Sequence, residues 1–340
     1  MKLLPKPLYR THFGEAYVGD ALDLLKCLQD ESIDLVITSP PFALQRQKEY
    51  GNVDQDEYVD WLLSFAIEVK RVLKNTGSFV LDLGGAYRKR RPVRSLYNYR
   101  ILIRLCDEQG WNLAEEFFWF NPSKLPSPIE WVNKRKIRVK DAVNTVWWLA
   151  KSDFPNADVT KVLVPYSERM KLLLQNSEKY YSPKKRPSGH DISARFSEDK
   201  GGAIPPNLLQ ISNTESNSQY LQCCKIVGAK PHPARFPQKL PEFFIRLLTD
   251  IGDTVLDIFA GSNTTGAAAE SLNRRWIAFE IDRTYLATSA FRFLNEVDEN
   301  TVKTLYEKLN SKNVTETITI PQVIQLRIME EREKYETGGS

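Results

Sequence analysis

Cysteine is scarce, and its spacing suggests no pairing. The four in 340 residues, Cys27, Cys106, Cys223 and Cys224, form no C-x-x-C unit, so neither a zinc site nor a disulfide framework is expected. No apolar run approaches the roughly 20 residues of a membrane span, and the opening MKLLPKPLYR lacks the apolar centre of a secretory signal. These absences lead to the expectation of an intracellular, reduced protein with no metal and no membrane partner. The 42% hydrophobic and 26% charged residues describe an ordinary globular chain, long enough for one large or two modest domains.

Acid is locally missing as well. From Gly84 to Arg100 there are basic residues at 88, 89, 90, 91, 94 and 100 and no acid. From Asn121 to Lys140 six more, at 124, 134, 135, 136, 138 and 140, face Glu130 alone, although the net charge of the whole chain is only +4. One such run is usually a solvated loop. Two runs, each following an expected strand, suggest a shared basic face able to meet phosphates.

What is present begins with residues 33–42, IDLVITSPPF. Ile33 to Ile37 are mostly β-branched or apolar, as in a strand buried on both faces, and Pro40 and Pro41 cannot continue it. The turn presents the Ser39 hydroxyl, the Pro40 carbonyl and the Phe42 ring rigidly at the carboxyl end of a strand. That is where open α/β sheets bind ligands. A strand that only needed stopping would look the same over these four residues.

Further along, helical spacing of Tyr58, Leu62, Phe65, Val69 and Val72 predicts a helix over Asp54–Lys74. Strands are expected at Ser78–Leu83, Leu113–Phe120 and Val143–Ala150, with a helix near Leu96–Glu108. No long amphipathic helix separates the last two strands, so they should run antiparallel. Residues 152–225 are rich in Ser, Asn, Pro and Gly and read as a loop-rich insertion. Regular texture resumes with a helix at Pro241–Leu248, a strand at Thr254–Phe259, the turn AGSNTTG, a helix at Ala267–Leu272, a strand at Trp276–Glu280 and a helix at Arg283–Asn295. The alternation predicts a doubly wound α/β fold. Its parts are a discontinuous domain over 1–151 and 226–300, the insert, and a charged tail over 301–340.

Strand, glycine-bearing turn, helix and acid-ended strand form a half-site for an adenosine-containing ligand. Glu280 lies nineteen positions after Gly261, in reach of a ribose diol, and Asn263 tolerates the left-handed turn conformation. Gly261 and Gly266 could alternatively serve packing alone.

The order SPPF, insert, then D-x-F-x-G resembles the β arrangement of the AdoMet-dependent amino-group DNA methyltransferases. The longer stretches TSPPFALQRQKEYGN, FNPSKLPSPIEWVNKRKIRVKDAVNTVWW, RPSGHDI, IPPNLLQISN and HPARFPQKLPEFFIR are similar to cytosine-N4 members from bacterial restriction–modification systems, over roughly Tyr17 to Leu294. The resemblance implies a Rossmann-like fold with a mixed sheet, one antiparallel strand and a target-recognition insert at 152–225. It implies AdoMet held by Asp257, Phe259, Gly261 and Glu280, with Asp20 near the adenine and HPARFP closing over the methionine end. Ala260 departs from the family, in which a further glycine is common there. Duplex DNA is the implied partner, CAGCTG the implied site with its inner cytosine methylated, and a bacterial cytoplasmic monomer the implied setting. A cognate restriction endonuclease would be a separate partner in the same system.

The chemistry suits the residues. The cytosine N4 lone pair is delocalised into the ring, so acceptors at both N–H groups are needed to free it. Ser39 Oγ and the Pro40 carbonyl offer that pair, and Phe42 can stack on an extruded base. Asp82, ending the VLDL strand, either relays the departing proton through Ser39 or caps the following Gly-Gly turn. No cysteine sits in a proline-stiffened turn, which argues against C5 methylation; Asp or Asn in place of Ser39 would be usual for adenine N6. Arg88, Lys89, Arg90, Arg91, Lys134, Arg135 and Lys136 suit phosphates, and Arg186, Ser188 and His190 could reach base edges. A binding module without chemistry, and an RNA methyltransferase, are the alternatives.

Overall fold

The computed structural model describes residues 3–41, 55–176, 198–214, 218–294, 298–311 and 316–320. The Asp54 end of the first expected helix, Phe42, and the candidates Arg186, Ser188 and His190 lie outside them.

In chain order the principal elements begin with β1 (Tyr9–Arg10), β2 (Gly14–Val18), α1 (Ala21–Leu25), β3 (Ile33–Thr38), α2 (Gln55–Val72) and β4 (Leu73–Leu83). Next come α3 (Tyr97–Asp107), β5 (Asn112–Phe120), β6 (Val143–Ala150), α4 (Glu168–Gln175), β7 (Leu208–Gln210) and α5 (Gln219–Ile226). The chain continues through α6 (Lys239–Leu248), β8 (Thr254–Asp257), α7 (Thr264–Ser271), β9 (Arg275–Glu280), α8 (Arg283–Ser289), α9 (Glu299–Asn310) and β10 (Ile318–Thr319).

The ten strands among the described residues join one sheet in the order β10-β1-β2-β9-β8-β3-β4-β6-β5-β7. From β2 to β4 the strands are parallel, and β6 runs against both neighbours, β4 and β5. The expected antiparallel pairing of β5 with β6 is present, from Asn112↔Ala150 to Phe120↔Val143. The sheet edge adds β1, antiparallel to β2, and β10, parallel to β1.

The central strands are apolar without interruption because both of their faces are covered. In β4, Val80 packs with Phe244 and Ile245 of α6, while Phe79 and Leu81 pack with α1, α2 and α3 on the other face. Each such fully buried side chain contributes roughly 1.5–3 kcal/mol. The chain leaves β3 through α2 on one face and β8 through α7 on the opposite face. Strand order therefore reverses between β3 and β8, and a crevice opens at their carboxyl ends.

Short elements escaped sequence reading. The β2 strand and α1 are five residues each, and α1 begins where the Asp20 carboxylate accepts from Leu22 N at 2.9 Å and Asp23 N at 3.3 Å. The expected helix at Arg283–Asn295 is α8 followed by a 3-10 turn at Ala290–Phe293. The described parts of 152–225 are knitted to the sheet: β7 pairs with β5, and Tyr220, Cys223 and Cys224 of α5 pack on Phe291 and Val302. The stretch read as a charged tail over 301–340 supplies most of α9, with Val302 and Leu309 buried, and β10.

Candidate active site

At the end of β3, Ser39 Oγ donates to Asp82 Oδ2 at 3.0 Å. The other carboxylate oxygen accepts from Asn144 Nδ2 at 3.1 Å, so β6 braces the acid from its far side. The Asp82 side chain is buried, and burial pushes its pKa up to about 6 despite the hydrogen bonds from Asn144 and Ser39 and the charge of Lys124, which pull it down. The hydrogen bonds of Asp82 go to Ser39 and Asn144, whereas the Gly84 carbonyl of the following turn accepts from the Tyr97 hydroxyl.

The glycine-bearing turn follows β8. Gly261 has φ +52° and Asn263 φ +51°, both left-handed, and the Asn263 side chain caps α7 by accepting from Gly266 N at 3.0 Å. A Cβ on Gly261 would stand 2.9 Å from the His232 ring. That ring packs edge-on against Tyr285, and the His232 backbone N–H donates to the Tyr220 hydroxyl at 3.0 Å. His232, in the HPARFP segment, thus lies against the turn.

Glu280 ends β9. Its Oε2 accepts from Gly261 N at 2.8 Å and its Oε1 from Asp282 N at 2.9 Å, while burial raises its pKa. Each oxygen keeps a further acceptor position. Gly19 N donates to the Glu280 carbonyl at 3.0 Å, which sets exposed Asp20 beside the same strand end. The Phe259 ring lies 5.5 Å from that of Trp61 and 5.1 Å from that of Phe65. A carboxylate with open acceptor positions, a supported aromatic wall and a turn that tolerates no side chain fit the adenosine part of AdoMet. Asp257 stands apart from this set: its carboxylate accepts from Thr38, Thr265 and the Phe259 N–H.

One cavity of about 310 Å³ is lined by Ser39 and Asp82 and by Phe259, Ala260 and Ser262 of the glycine-bearing turn, whereas Gly261, Glu280 and Asp20 are not among its lining residues. Sequence reasoning did not single out Trp119, Asn121, Asn144 or Asn213, which also line it, and saw Lys124 only as one charge of a basic run. A signal for Asn121 was available. The segment FNPSK ends β5 with a polar residue and a proline, as TSPPF ends β3. Asn121 Oδ1 accepts from Asn213 N at 3.2 Å, joining that strand end to the insert.

The two basic runs meet. Residues 87–94 form a hairpin closed by a Tyr87↔Arg94 bridge; Arg94 pairs with Asp141 at 2.5 Å, and Arg138 donates to the Pro92 carbonyl at 2.7 Å. Arg88, Lys89, Arg90 and Arg91 are exposed and make no ion pair among the described residues. Lys134 and Arg135 are exposed but share Glu130, at 3.4 and 3.0 Å, and Lys136 is exposed beside them.

Known proteins share this arrangement. A family model described as DNA methylase matches residues 33–291. The type II methyltransferase M.PvuII of Proteus hauseri is 64% identical over 305 residues, which cover 89% of this chain and 91% of that one. M.BglII of Bacillus subtilis is 24% identical over 297 residues, covering 87% and 73%. Among solved structures, the cytosine-N4-specific PvuII DNA methyltransferase matches with a TM-score of 0.76 and 53% identity, over 96% of this chain and all of that one. The lower identity accompanies the longer structural alignment. With its strand-end serine, its cofactor turn and a family match spanning both, the chain belongs to the N6/N4 DNA methylase family.

Proposed function

We propose that the protein is an AdoMet-dependent DNA (cytosine-N4)-methyltransferase of a bacterial, cytoplasmic restriction–modification system, acting as a monomer on CAGCTG. The observation that carries this reading is the shared cavity: the Ser39 hydroxyl, bonded to a buried acid, opens into the same space as the cofactor turn. The similarity to M.PvuII supports the base and the site.

When bound, AdoMet supplies an electrophilic methyl group on its sulfonium. Glu280 offers acceptors for the ribose hydroxyls, Gly261 admits the ligand close to the backbone, and Phe259 walls the adenine. Asp20, exposed at the cap of α1, is within reach of the same end. On the other side of the cavity, Ser39 Oγ donates to Asp82 and accepts from one N4–H of the extruded cytosine. The Pro40 carbonyl accepts from the second, and Pro41 keeps the turn rigid. Two acceptors draw the nitrogen toward a pyramidal state whose lone pair attacks in line, so rate comes from positioning and preorganised charge. As N4 gains the methyl carbon, one N4 proton passes to Ser39 Oγ and the serine proton passes to Asp82, which the Asn144 amide holds in place. Phe42 is assigned to stacking on the base, and Arg186, Ser188 and His190 to reading base edges, by family likeness.

Arg88, Lys89, Arg90 and Arg91, with Lys134, Arg135 and Lys136, provide phosphate contacts that give affinity without sequence information. The test is transfer of labelled methyl from AdoMet to a duplex carrying CAGCTG, against duplexes with one base pair changed. Incorporation confined to the intact hexamer is expected. Equal incorporation into all duplexes would contradict the proposed site.

A further inference from the structure

The neighbouring strands β3 and β8 are paired through Leu35↔Val255 and Val36↔Leu256. Beyond that register no ladder fixes their spacing, because one strand feeds α2 and the other α7 on opposite faces. Yet this spacing sets how far the Ser39 turn stands from the cofactor turn. A side-chain bridge spans the gap. Thr38 Oγ1 donates to Asp257 Oδ1 at 2.7 Å, the Phe259 N–H donates to the same oxygen at 3.1 Å, and Thr265 Oγ1 donates to Oδ2 at 2.6 Å. Thr38, Asp257 and Thr265 are 0%, 2% and 1% exposed, so water does not compete for these bonds. Thr38 is the residue before Ser39, and Phe259 and Thr265 bracket the turn that contains Gly261.

We propose that Asp257 is a positioning residue whose carboxylate clamps the catalytic turn to the cofactor turn, fixing the separation of target amino group and methyl donor. The inference rests on the function proposed above, and it replaces the direct cofactor contact expected of Asp257 with an indirect one. An ionised carboxylate suits the role, being acceptor-only with room for three donors from three segments. Threonine suits both ends, because its β-branch restricts the rotamer that aims the hydroxyl.

Thr38→Val removes one donor while keeping the branched shape, and Thr38→Ser keeps the donor. Single-turnover methyl transfer, binding of AdoMet and of a CAGCTG duplex, and thermal unfolding are measured on each full-length variant. Thr38→Val is expected to slow transfer by roughly 10- to 100-fold with both affinities unchanged, since small misplacements at a reacting centre cost that much. Thr38→Ser is expected to restore most of the rate. Thr265→Val and Thr265→Ser repeat the comparison on the other oxygen and stand in if Thr38→Val does not fold. The double valine variant should lose less than the product of the single losses, because both act on one carboxylate.

Wild-type rate in a folded Thr38→Val or Thr265→Val overturns the proposal. So does a serine variant as slow as its valine counterpart, or a loss of AdoMet affinity with the rate intact. Absence of methyl transfer by the wild-type protein is a different failure: it overturns the proposed function, and this inference falls with it.

Discussion

An ionised carboxylate loses hydration when buried, and Asp82 carries that cost in order to hold Ser39. Its pKa is raised to about 6 by burial, from an ordinary value of 3.8. Between about pH 4 and pH 6 the folded protein keeps a proton that the unfolded chain releases, so the contribution of Asp82 to stability falls as pH rises through this window. Above it the charge costs on the order of 3 kcal/mol, since each tenfold change in a proton-binding constant is about 1.4 kcal/mol. Asp82→Asn should therefore be more stable than wild type above pH 6, with the difference vanishing toward pH 4, as urea unfolding at several pH values would read. The same substitution should slow methyl transfer at least 100-fold, because the amide cannot take the serine proton. In the wild type, kcat/KM should fall as pH drops below about 6, where protonated Asp82 cannot take up the serine proton. A variant no more stable than wild type at pH 8 would mean that Asp82 is not strained.

At the scale of elements, legibility followed the length and burial of each segment. The β3, β4, β6 and β9 strands are buried on both faces and announce themselves as apolar runs, and α2 shows its period over five turns. The SPP turn and Glu280 were legible because each stands at the end of such a strand. Asn144 was not, because a polar residue inside VNTVWW reveals its role only when β6 is laid against β4. The α5 helix was hidden for a similar reason: Tyr220, Cys223 and Cys224 find their partners at Phe291 and Val302, far along the chain. The basic hairpin at 87–94 was legible as charge, and its junction with 121–141 came from the Arg94–Asp141 pair and the Arg138–Pro92 hydrogen bond. Replacing Arg88, Lys89, Arg90 and Arg91 together with alanine should weaken binding to specific and non-specific duplexes alike. The slope of log K against log salt should become shallower by about 0.9 for each phosphate that is no longer neutralised. Weakening confined to CAGCTG duplexes would instead assign the hairpin to base reading.

Across the whole molecule, the methyl-donor and target halves are held together by segments that sequence left separate. Residues 299–311 and 316–320 close the sheet behind the cofactor half: Leu309 and Val302 are fully buried, and β10 pairs with β1 from Tyr9↔Ile318. Leu309→Ala should destabilise the entire fold by about 2–5 kcal/mol in chemical unfolding, as expected for a filled core position. A change within about 0.5 kcal/mol, typical of exposed sites, would show the segment to be an appendage. The insert likewise reaches the cofactor side, since Tyr220 accepts from the His232 N–H and Asn213 Nδ2 donates to the Arg235 carbonyl at 2.7 Å. These arrangements converge on one claim, that Ser39 directs methyl transfer to an exocyclic cytosine nitrogen. The measurement that tests it most directly is incubation with AdoMet and unmethylated plasmid, digestion to nucleosides, and identification of the product by mass and retention. The account predicts N4-methyldeoxycytidine from the wild type and none from Ser39→Ala. N6-methyldeoxyadenosine, or undiminished N4 product from Ser39→Ala, would contradict it.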